Sequence, residues 1–446
     1  MTRSEKLGQA PIGKLLLEQA VPASIGILVM SIYMIVDTIF VGQFVGAVAI
    51  GAITVVLPIT FLISSTGMAI GIGGSSMISR ALGEEDPERA RNIFGNQITL
   101  TFLLAFTFLA IGYFFQESIL NLFGGKGAIL PYAKTYFSII LMGVPFLAWA
   151  MMTNSVIRAE GVPKVAMFTM LIPAILNLIL DPIFIIWLEW GIAGAAWATT
   201  ISYIASGIFT FWFFFSGKSE LTPKFTNLKL KFALVKEIFS LGGVTLARQG
   251  VISILAIVLN NTLFSFGGEL AVSVYGIIQR ASMFANFPVL GITQGFLPIA
   301  GFNYGAENWS RVKSVIQLAI KSGTIIAVCL FAMILIFAEE IASLFTTDAE
   351  LIAMTVPAIR ISFLATPLVL MQLIGSAYFQ AIGKAIPALF LTLTKQGFCL
   401  IPLIVLLPRY YNLTGVWIAF PIADILSAGI CFFFLRKAMR QLPQEV

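Results

Sequence analysis

Histidine is missing from this sequence, and cysteine and charged residues are scarce. Of 446 residues none is His, 3 are Cys and 11% are charged. Without histidine the chain lacks the side chain that most often carries protons near neutral pH, so any proton chemistry has to use carboxyl groups. The cysteines lie in apolar segments at spacings that fit neither a disulfide framework nor a metal site, and we interpret them as small hydrophobic residues. They are Cys329, Cys399 and Cys431.

Long apolar segments dominate the rest of the sequence. Hydrophobic residues make up 59% of the chain and the mean hydropathy is +0.96. Twelve segments are long enough to cross a bilayer as helices, which takes about 20 residues each. The chain is therefore predicted to be an all-α integral membrane protein with twelve transmembrane helices. The predicted spans cover residues 15–42, 47–78, 93–115, 131–152, 164–188, 192–215, 237–262, 270–300, 314–337, 352–378, 385–408 and 413–435.

Lys and Arg are distributed unevenly between the two sets of loops. Loops on the N-terminal side hold most of them, whereas the opposite loops hold only Lys126, Lys134 and Arg409. By the positive-inside rule we predict that both termini are cytoplasmic and that the chain lies in the inner (plasma) membrane. The N-terminus lacks the pattern of a cleaved signal peptide, so the first span is expected to insert directly. This topology accounts for the net charge of +6, and no basic patch is left to indicate a nucleic-acid partner.

The sequence contains an internal repeat. ALGEEDPERA (81–90) aligns with NYGAENWSRV (303–312), and the same spacing aligns Gly161 with Gly383. An even number of spans separates the copies, so we predict two six-helix bundles in the same orientation. Two such bundles can rock about a central cavity, which favours a transporter that works by alternating access. The predicted parts are an N-terminal lobe (1–215), a polar cytoplasmic linker (216–236) and a C-terminal lobe (237–446).

Two carboxylates stand inside apolar spans of the N-terminal lobe. In the fifth span Asn177 and Asp181 are four residues apart, so they share a helix face, and Pro182 follows directly. In the first span Asp37 lies about midway, with Tyr33 one turn earlier on the same face. An ionised Asp at the centre of a membrane helix costs roughly 2.5–3.5 kcal/mol, so such residues usually line a pathway or pair with a partner. A purely structural, hydrogen-bonded carboxylate is the alternative.

Polar side chains from neighbouring spans of the same lobe can surround these carboxylates. No spanning segment of this lobe is expected to hold a Lys or Arg that neutralises them, so they require a proton or a metal cation. Oxygen ligands suit H⁺ or a hard ion such as Na⁺, and both remain alternatives. If the ion is Na⁺, Asp37, Asn177, Asp181 and Thr199 are the expected ligands. The neighbouring candidates are Tyr136 and Asn154 in the fourth span, Asn177 in the fifth, and Thr199 and Thr200 in the sixth.

Three sequence features resemble the multidrug and toxic compound extrusion (MATE) antiporters, in particular their DinF-like branch. They are VDTIFVG in the first span, N-x-x-x-D in the fifth and the repeated G-x-E-x-x-x-R loops. The resemblance implies a monomeric antiporter that exports small amphipathic organic compounds in exchange for H⁺ or Na⁺, with no further cofactor and with membrane lipid around it. It also implies a cation-coupling site in the N-terminal lobe. That site would consist of Asp37, Asn177, Asp181, Thr199, Asn154 and Tyr136.

The C-terminal lobe departs from the family pattern. Members that bind Na⁺ in this lobe carry acidic residues in the seventh and tenth spans, where this chain has Arg248, Gln249 and Gln372. Asp424 is the one acidic residue well inside a predicted span of this lobe, and we expect it to pair with Lys395 in the adjacent span. Another cation would then present positive charge to the cavity, unless Arg248 and Arg280 lie near the membrane surfaces. The substrate-cavity candidates are Tyr33, Arg248, Arg280, Lys395 and Asp424.

Two other functions are alternatives. A lipid-linked saccharide flippase of the same superfamily would share the two-bundle plan, but such proteins commonly carry additional spans and a strongly cationic cavity. A membrane enzyme acting on lipid would need a nucleophile with a base, or a metal cluster, near the membrane surface. With no His and three isolated Cys the sequence offers neither arrangement. We therefore predict a transporter and not an enzyme.

Overall fold

The computed structural model describes residues 3–443, and helices make up nearly all of that range. Within it, eleven helical segments are long and apolar enough to cross a membrane. Short helices at Gln116–Leu122 and Ala338–Ser343, each following a long one, were not predicted. The long segments are Ile12–Phe44, Ala47–Gly83, Pro87–Phe114, Ile129–Ala159, Pro163–Trp187, Gly191–Phe215, Phe232–Gly305, Trp309–Ile336, Ala349–Ala381, Ala385–Leu406 and Pro408–Gln441.

One of these segments contains two spans. Phe232–Gly305 has 74 residues, and a straight helix of that length would measure about 110 Å, far more than the ~30 Å of a bilayer's hydrocarbon core. Gly268 interrupts it with a non-helical backbone (φ 63°, ψ −158°). Residues 232–267 are therefore the seventh span and residues 269–305 the eighth, and the prediction of twelve spans is confirmed.

The internal repeat is visible in the backbone. Left-handed φ values are uncommon for residues other than glycine, yet Glu85 (φ 58°) and Glu307 (φ 54°) both adopt them at corresponding positions. The glycines at the same spacing behave alike, namely Gly46 with Gly268 and Gly161 with Gly383. The two halves therefore share turn geometry as well as span order.

Several helices extend beyond the apolar segments that predicted them. The second span continues to Gly83 and the fourth covers Ile129–Ala159, because helical hydrogen bonding does not end where the side chains become polar. Arg80, Lys134 and Arg158 consequently lie inside helices of the N-terminal half, and both arginines are buried. The expectation that no spanning segment of this half holds a Lys or Arg was therefore wrong.

Each of these cations has a partner other than Asp37 and Asp181. Arg80 donates to Glu237 Oε1 at 2.7 Å and to Ser76 Oγ at 3.0 Å. Lys134 pairs with Glu117 at 2.6 Å. Arg158 donates through Nε to Asn154. These contacts leave the carboxylates of the first and fifth spans to be neutralised in another way.

Packing divides the chain into two units. Among the described residues, the first comprises 3–6 and 25–245, and the second comprises 7–24 and 246–443. The start of the first span belongs to the second unit because it packs against the eighth span, where a Cβ on Gly295 would lie 2.9 Å from the backbone nitrogen of Ala20. The lobe boundaries at 215 and 237 remain a prediction about the repeat, since the units rest on packing alone.

The chain after the sixth span is fastened to the end of the fourth. The carboxyl group of Glu160 is buried and accepts hydrogen bonds from the hydroxyl of Ser219 and from the backbone nitrogen of Leu221. Burial raises the pKa of Glu160 to about 8, although the Ser219 hydrogen bond acts in the opposite direction. The first residues of the linker are therefore part of the folded structure.

Glycines bring the second and seventh spans into backbone contact within the first unit. A Cβ on Gly242 would lie 2.4 Å from the carbonyl oxygen of Ala69, and one on Gly73 would lie 2.3 Å from the carbonyl oxygen of Ile238. Gly243, the next residue along the same helix, has no atom within 4 Å of such a position. Only the first two glycines are therefore needed for close approach.

Gly242→Ala should destabilise the protein, whereas Gly243→Ala should not. The first substitution forces two backbones apart, which typically costs about 1–3 kcal/mol. The second gains helix propensity, by up to about 1 kcal/mol. Thermal unfolding of the purified variants in one detergent measures both effects. Equal melting temperatures for the two variants would contradict the packing described here.

Candidate functional site

The carboxyl groups of Asp37 and Asp181 meet inside the first unit. They lie close enough for each to affect the other's charge. The Oδ1 atom of each is buried and has no hydrogen-bond donor among residues 3–443. Two neighbouring carboxylates repel when both are ionised, and a proton or a cation bound with them relieves that repulsion.

The local backbone places Asp181 at a change of helix type. The α-helix Pro163–Asp181 passes into a π-helical turn at Pro182–Trp187. Pro182 has no amide hydrogen, so the carbonyl of Leu178 loses its helical donor. π-helical turns of this kind frequently occur at functional sites. Asp181 is therefore the last residue of the α-helix and directly precedes the π-helical turn.

Asn177 and Thr199 support Asp181 from the same side. With its amide nitrogen assigned toward Asp181, Asn177 donates to Asp181 Oδ2 at 2.8 Å. Its oxygen then accepts from the backbone nitrogen of Thr199 at 3.3 Å and lies 3.2 Å from the Thr199 hydroxyl. The predicted helix face of Asn177 and Asp181 is thus a hydrogen-bonded unit, fixed by the sixth span.

Three tyrosines surround the carboxyl pair. Tyr136 lies close to Thr199, and Tyr33 lies close to Tyr203. Tyr33 and Tyr136 are buried, and both lie close enough to Asp37 to feel its charge. Tyr203 was missed in the sequence, although it follows Thr199 by one helical turn and so shares its face.

Asn154 is the one cation-coupling candidate that the structure does not bring to this cluster. Its amide nitrogen donates at 2.7 Å to both the carbonyl oxygen of Ala166 and the hydroxyl of Thr169. Its oxygen accepts from Arg158 Nε at 3.2 Å. Both ends of the amide are thus engaged between the fourth and fifth spans.

The donor set of the cluster consists of oxygen atoms and one amide. Within residues 3–443 no group of three or more His, Cys, Asp or Glu side chains could hold a metal ion. The two donor-free carboxylate oxygens fit a shared proton, or a hard monovalent cation completed by Asn177 and Thr199. Either ion would place one positive charge between the two helices and so relieve the repulsion of their carboxylates.

In the second unit the buried carboxylate is paired with a cation of the protein. Lys395 pairs with Asp424 at 2.5 Å, which confirms the predicted partner. Lys395 lies in a π-helical stretch, Thr394–Leu400. Arg280 stands over the ring of Phe345, 6.0 Å from its centroid. Arg248 is half-buried and forms neither an ion pair nor a hydrogen bond with any residue between 3 and 443.

Asp424→Asn should destabilise the second unit because it leaves the Lys395 ammonium without a counter-charge. Breaking a fully buried pair costs about 3–5 kcal/mol, and we expect about 2–3 kcal/mol because the Lys395 side chain is 23% exposed. Adding Lys395→Met should recover most of that loss. Thermal unfolding of the single and double variants tests the pair, and a double variant as unstable as Asp424→Asn alone would argue against it.

Comparisons with known proteins agree with this architecture. The MatE family model matches residues 22–183 and 246–406, one stretch in each half. The multidrug export protein MepA of Staphylococcus haemolyticus is 28% identical over 439 residues, which cover 98% of this chain and 96% of that protein. MepA of Staphylococcus aureus strain MSSA476 is 28% identical over 421 residues, or 94% of this chain and 92% of that protein.

Solved structures are similar over the full length. A structure described as the outward-facing conformation of a multidrug resistance MATE family transporter has a TM-score of 0.93 at 27% identity and covers 98% of both chains. A transporter of the MOP superfamily from Pyrococcus furiosus, described as having a binding pocket of reverse polarity, has a TM-score of 0.93 at 27% identity and covers 100% of both chains.

Proposed function

Because this chain belongs to the MatE family of membrane transporters, we propose that it is a secondary active multidrug antiporter. It exports small amphipathic organic compounds in exchange for H⁺ or Na⁺ by alternating access. Its relatives along nearly the whole chain are described as multidrug export proteins, which favours this function over the flippase alternative. As a member of this family the protein is a transporter and not an enzyme.

The meeting of Asp37 and Asp181 is the observation that carries the proposal. When both carboxylates are ionised they repel, and when an ion enters between them the repulsion becomes attraction. Asp37 is on the first span and Asp181 on the fifth, so the bound ion couples the positions of two helices. Pro22 lies inside the first span and interrupts its hydrogen bonding, so that helix can bend as the ion enters and leaves.

Export would then follow from competition between ion and substrate. An ion that enters from outside neutralises the carboxyl pair, changes the bend of the first span and disfavours bound substrate. Release of the ion inside restores the charges and resets the protein. This direction rests on the proposed topology, with both termini cytoplasmic in the plasma membrane, and on a monomer as the working unit.

Asp37→Asn and Asp181→Asn should each abolish gradient-driven export while leaving the fold intact, because the amide keeps the shape and removes the charge that an ion must neutralise. A tenfold pH gradient supplies about 1.4 kcal/mol per proton, and 100 mV adds roughly 2.3 kcal/mol per charge. Neither can be used without a group that binds the ion. Dye efflux from proteoliposomes under separately imposed pH and Na⁺ gradients measures the loss and identifies the ion.

Asp86→Asn is the matched control for this experiment. Asp86 is exposed and caps the third span by accepting from the backbone nitrogen of Arg89 at 2.9 Å, a role that asparagine fills equally well. It should export at the wild-type rate. Full active export by both single variants at Asp37 and Asp181 would place the coupling elsewhere in the chain.

Arg248 is our candidate for selecting substrates by charge. It has no counter-charge in the described chain, whereas Arg280 stands over an aromatic ring and Lys395 is paired. A half-buried unpaired guanidinium is costly unless water or a ligand reaches it. A basic group here, together with the acidic pair in the other half, would allow zwitterionic and anionic compounds to be carried alongside cations.

Arg248→Gln should lower export of an anionic dye on the order of fivefold relative to a cationic dye of similar size. That factor corresponds to about 1 kcal/mol of lost charge attraction in a hydrated site. Arg280→Gln should change the ratio much less and serves as the matched control. Paired efflux assays give the ratio directly. An unchanged charge preference in Arg248→Gln would refute the assignment.

A further inference from the structure

The linker carries an exposed surface outside the candidate ion site. Four exposed lysines surround two aromatic side chains that are 92% and 82% exposed, those of Phe225 and Phe232. Exposed lysines alone would indicate a solvated loop, and exposed phenylalanines alone would indicate contact with lipid. The combination occurs in segments that lie at a membrane surface. We call it the linker patch, and its lysines are Lys224, Lys229, Lys231 and Lys236.

The backbone beneath the linker patch is held firmly against the third span. The side chain of Asn96 donates to the carbonyl oxygen of Lys229 at 3.2 Å and accepts from the backbone nitrogen of Lys231 at 2.7 Å. Thr99 donates to the carbonyl oxygen of Leu228 at 2.7 Å. A Cβ on Gly95 would lie 2.2 Å from the carbonyl oxygen of Asn227, so only glycine allows this approach. The exposed side chains therefore project from a fixed platform.

The platform packs beside the first half of a membrane-spanning helix. Asn96 and Thr99 follow Pro87, the first residue of the third span, by about 14 and 18 Å along the helix axis. The whole span has 28 residues and is about 42 Å long, whereas the hydrocarbon core is about 30 Å thick. The helix therefore extends beyond the hydrocarbon core, and the linker is fixed beside its N-terminal half.

The lysines of the linker patch are not neutralised by protein. The one acidic residue between positions 216 and 236 is Glu220, which already accepts from the backbone nitrogen of Arg3 at 2.6 Å and from the hydroxyl of Ser4. The nearby Glu88 and Glu237 are paired with Arg91 and Arg80. Within residues 3–443 none of the four lysines takes part in an ion pair.

We propose that the linker patch binds anionic phospholipid headgroups of the leaflet on its own side of the membrane. The lysine ammonium groups contact the lipid phosphates, and Phe225 and Phe232 insert at the boundary between headgroups and acyl chains. Inorganic phosphate would satisfy the lysines but gives no use for the two phenylalanines. This inference does not depend on which ion or compound the protein transports.

Native mass spectrometry of the purified full chain tests the proposal. The protein is released from mixed micelles that contain equal amounts of phosphatidylglycerol and phosphatidylcholine, and the ratio of bound anionic to zwitterionic lipid is counted. Replacing all four lysines of the linker patch with glutamine should lower that ratio by about tenfold or more. Replacing them with arginine should preserve it, since the charge remains.

A matched control removes similar charge elsewhere. Lys164, Lys384 and Lys437 are also exposed and lie outside the linker patch, so their replacement with glutamine should leave the ratio unchanged. Phe225→Ala with Phe232→Ala should reduce retention of both lipids. The proposal fails if the four-lysine variant, or Lys229→Gln with Lys231→Gln should the larger variant not fold, keeps the wild-type ratio. Displacement of the lipid by an equal concentration of inorganic phosphate would also overturn it.

Discussion

Two carboxyl groups that meet where apolar helices pack cannot both be charged and stay together, and the first unit is built around this constraint. Four of its spans contribute side chains that hold Asp37 and Asp181 or lie around them. The hydrogen bond from Asn177 fixes one carboxylate from its own helix, and buried tyrosines lie beside the other. Arg80 and Arg158 are already engaged by other side chains, and in the proposed mechanism the neutralising charge is an ion that can enter and leave.

The two halves have similar backbone geometry, but their buried carboxylates have different partners. Their turns adopt matching left-handed residues, Glu85 and Glu307 among them. In the second unit, however, Asp424 has a permanent partner in Lys395, so that carboxylate needs no ion from solution. A duplicated fold has therefore kept its geometry while its chemistry diverged. One copy has an ion pair within the protein, and the other has two carboxyl groups for which we propose an ion from solution.

The sequence predicted the spans, the repeat and most of the candidate site because each depends on local periodicity. Asn177 and Asp181 share a face by helix geometry alone, and the Lys395–Asp424 pair followed from charge balance. The errors have a different origin. An apolar segment marks only the part of a helix that lies in lipid, whereas the hydrogen-bonded helix continues beyond it. Arg80 and Arg158 lie in these continuations, and apolarity alone assigns them to loops. Asn154 has a suitable side chain, but its partners depend on how the fourth and fifth spans pack, which no single helix encodes.

The position of the two carboxylates along the chain also affects how the protein is made. Asp37 is synthesised with the first span, whereas Asp181 is added only with the fifth, which takes on the order of 10–30 s at ordinary translation rates. During that time Asp37 is in the membrane without the residues that later surround it. Its helix must therefore insert on hydrophobicity alone, and the first span is among the more apolar ones, with a mean hydropathy of 2.1 over its best window. The composition of that helix is thus constrained by biogenesis as well as by transport.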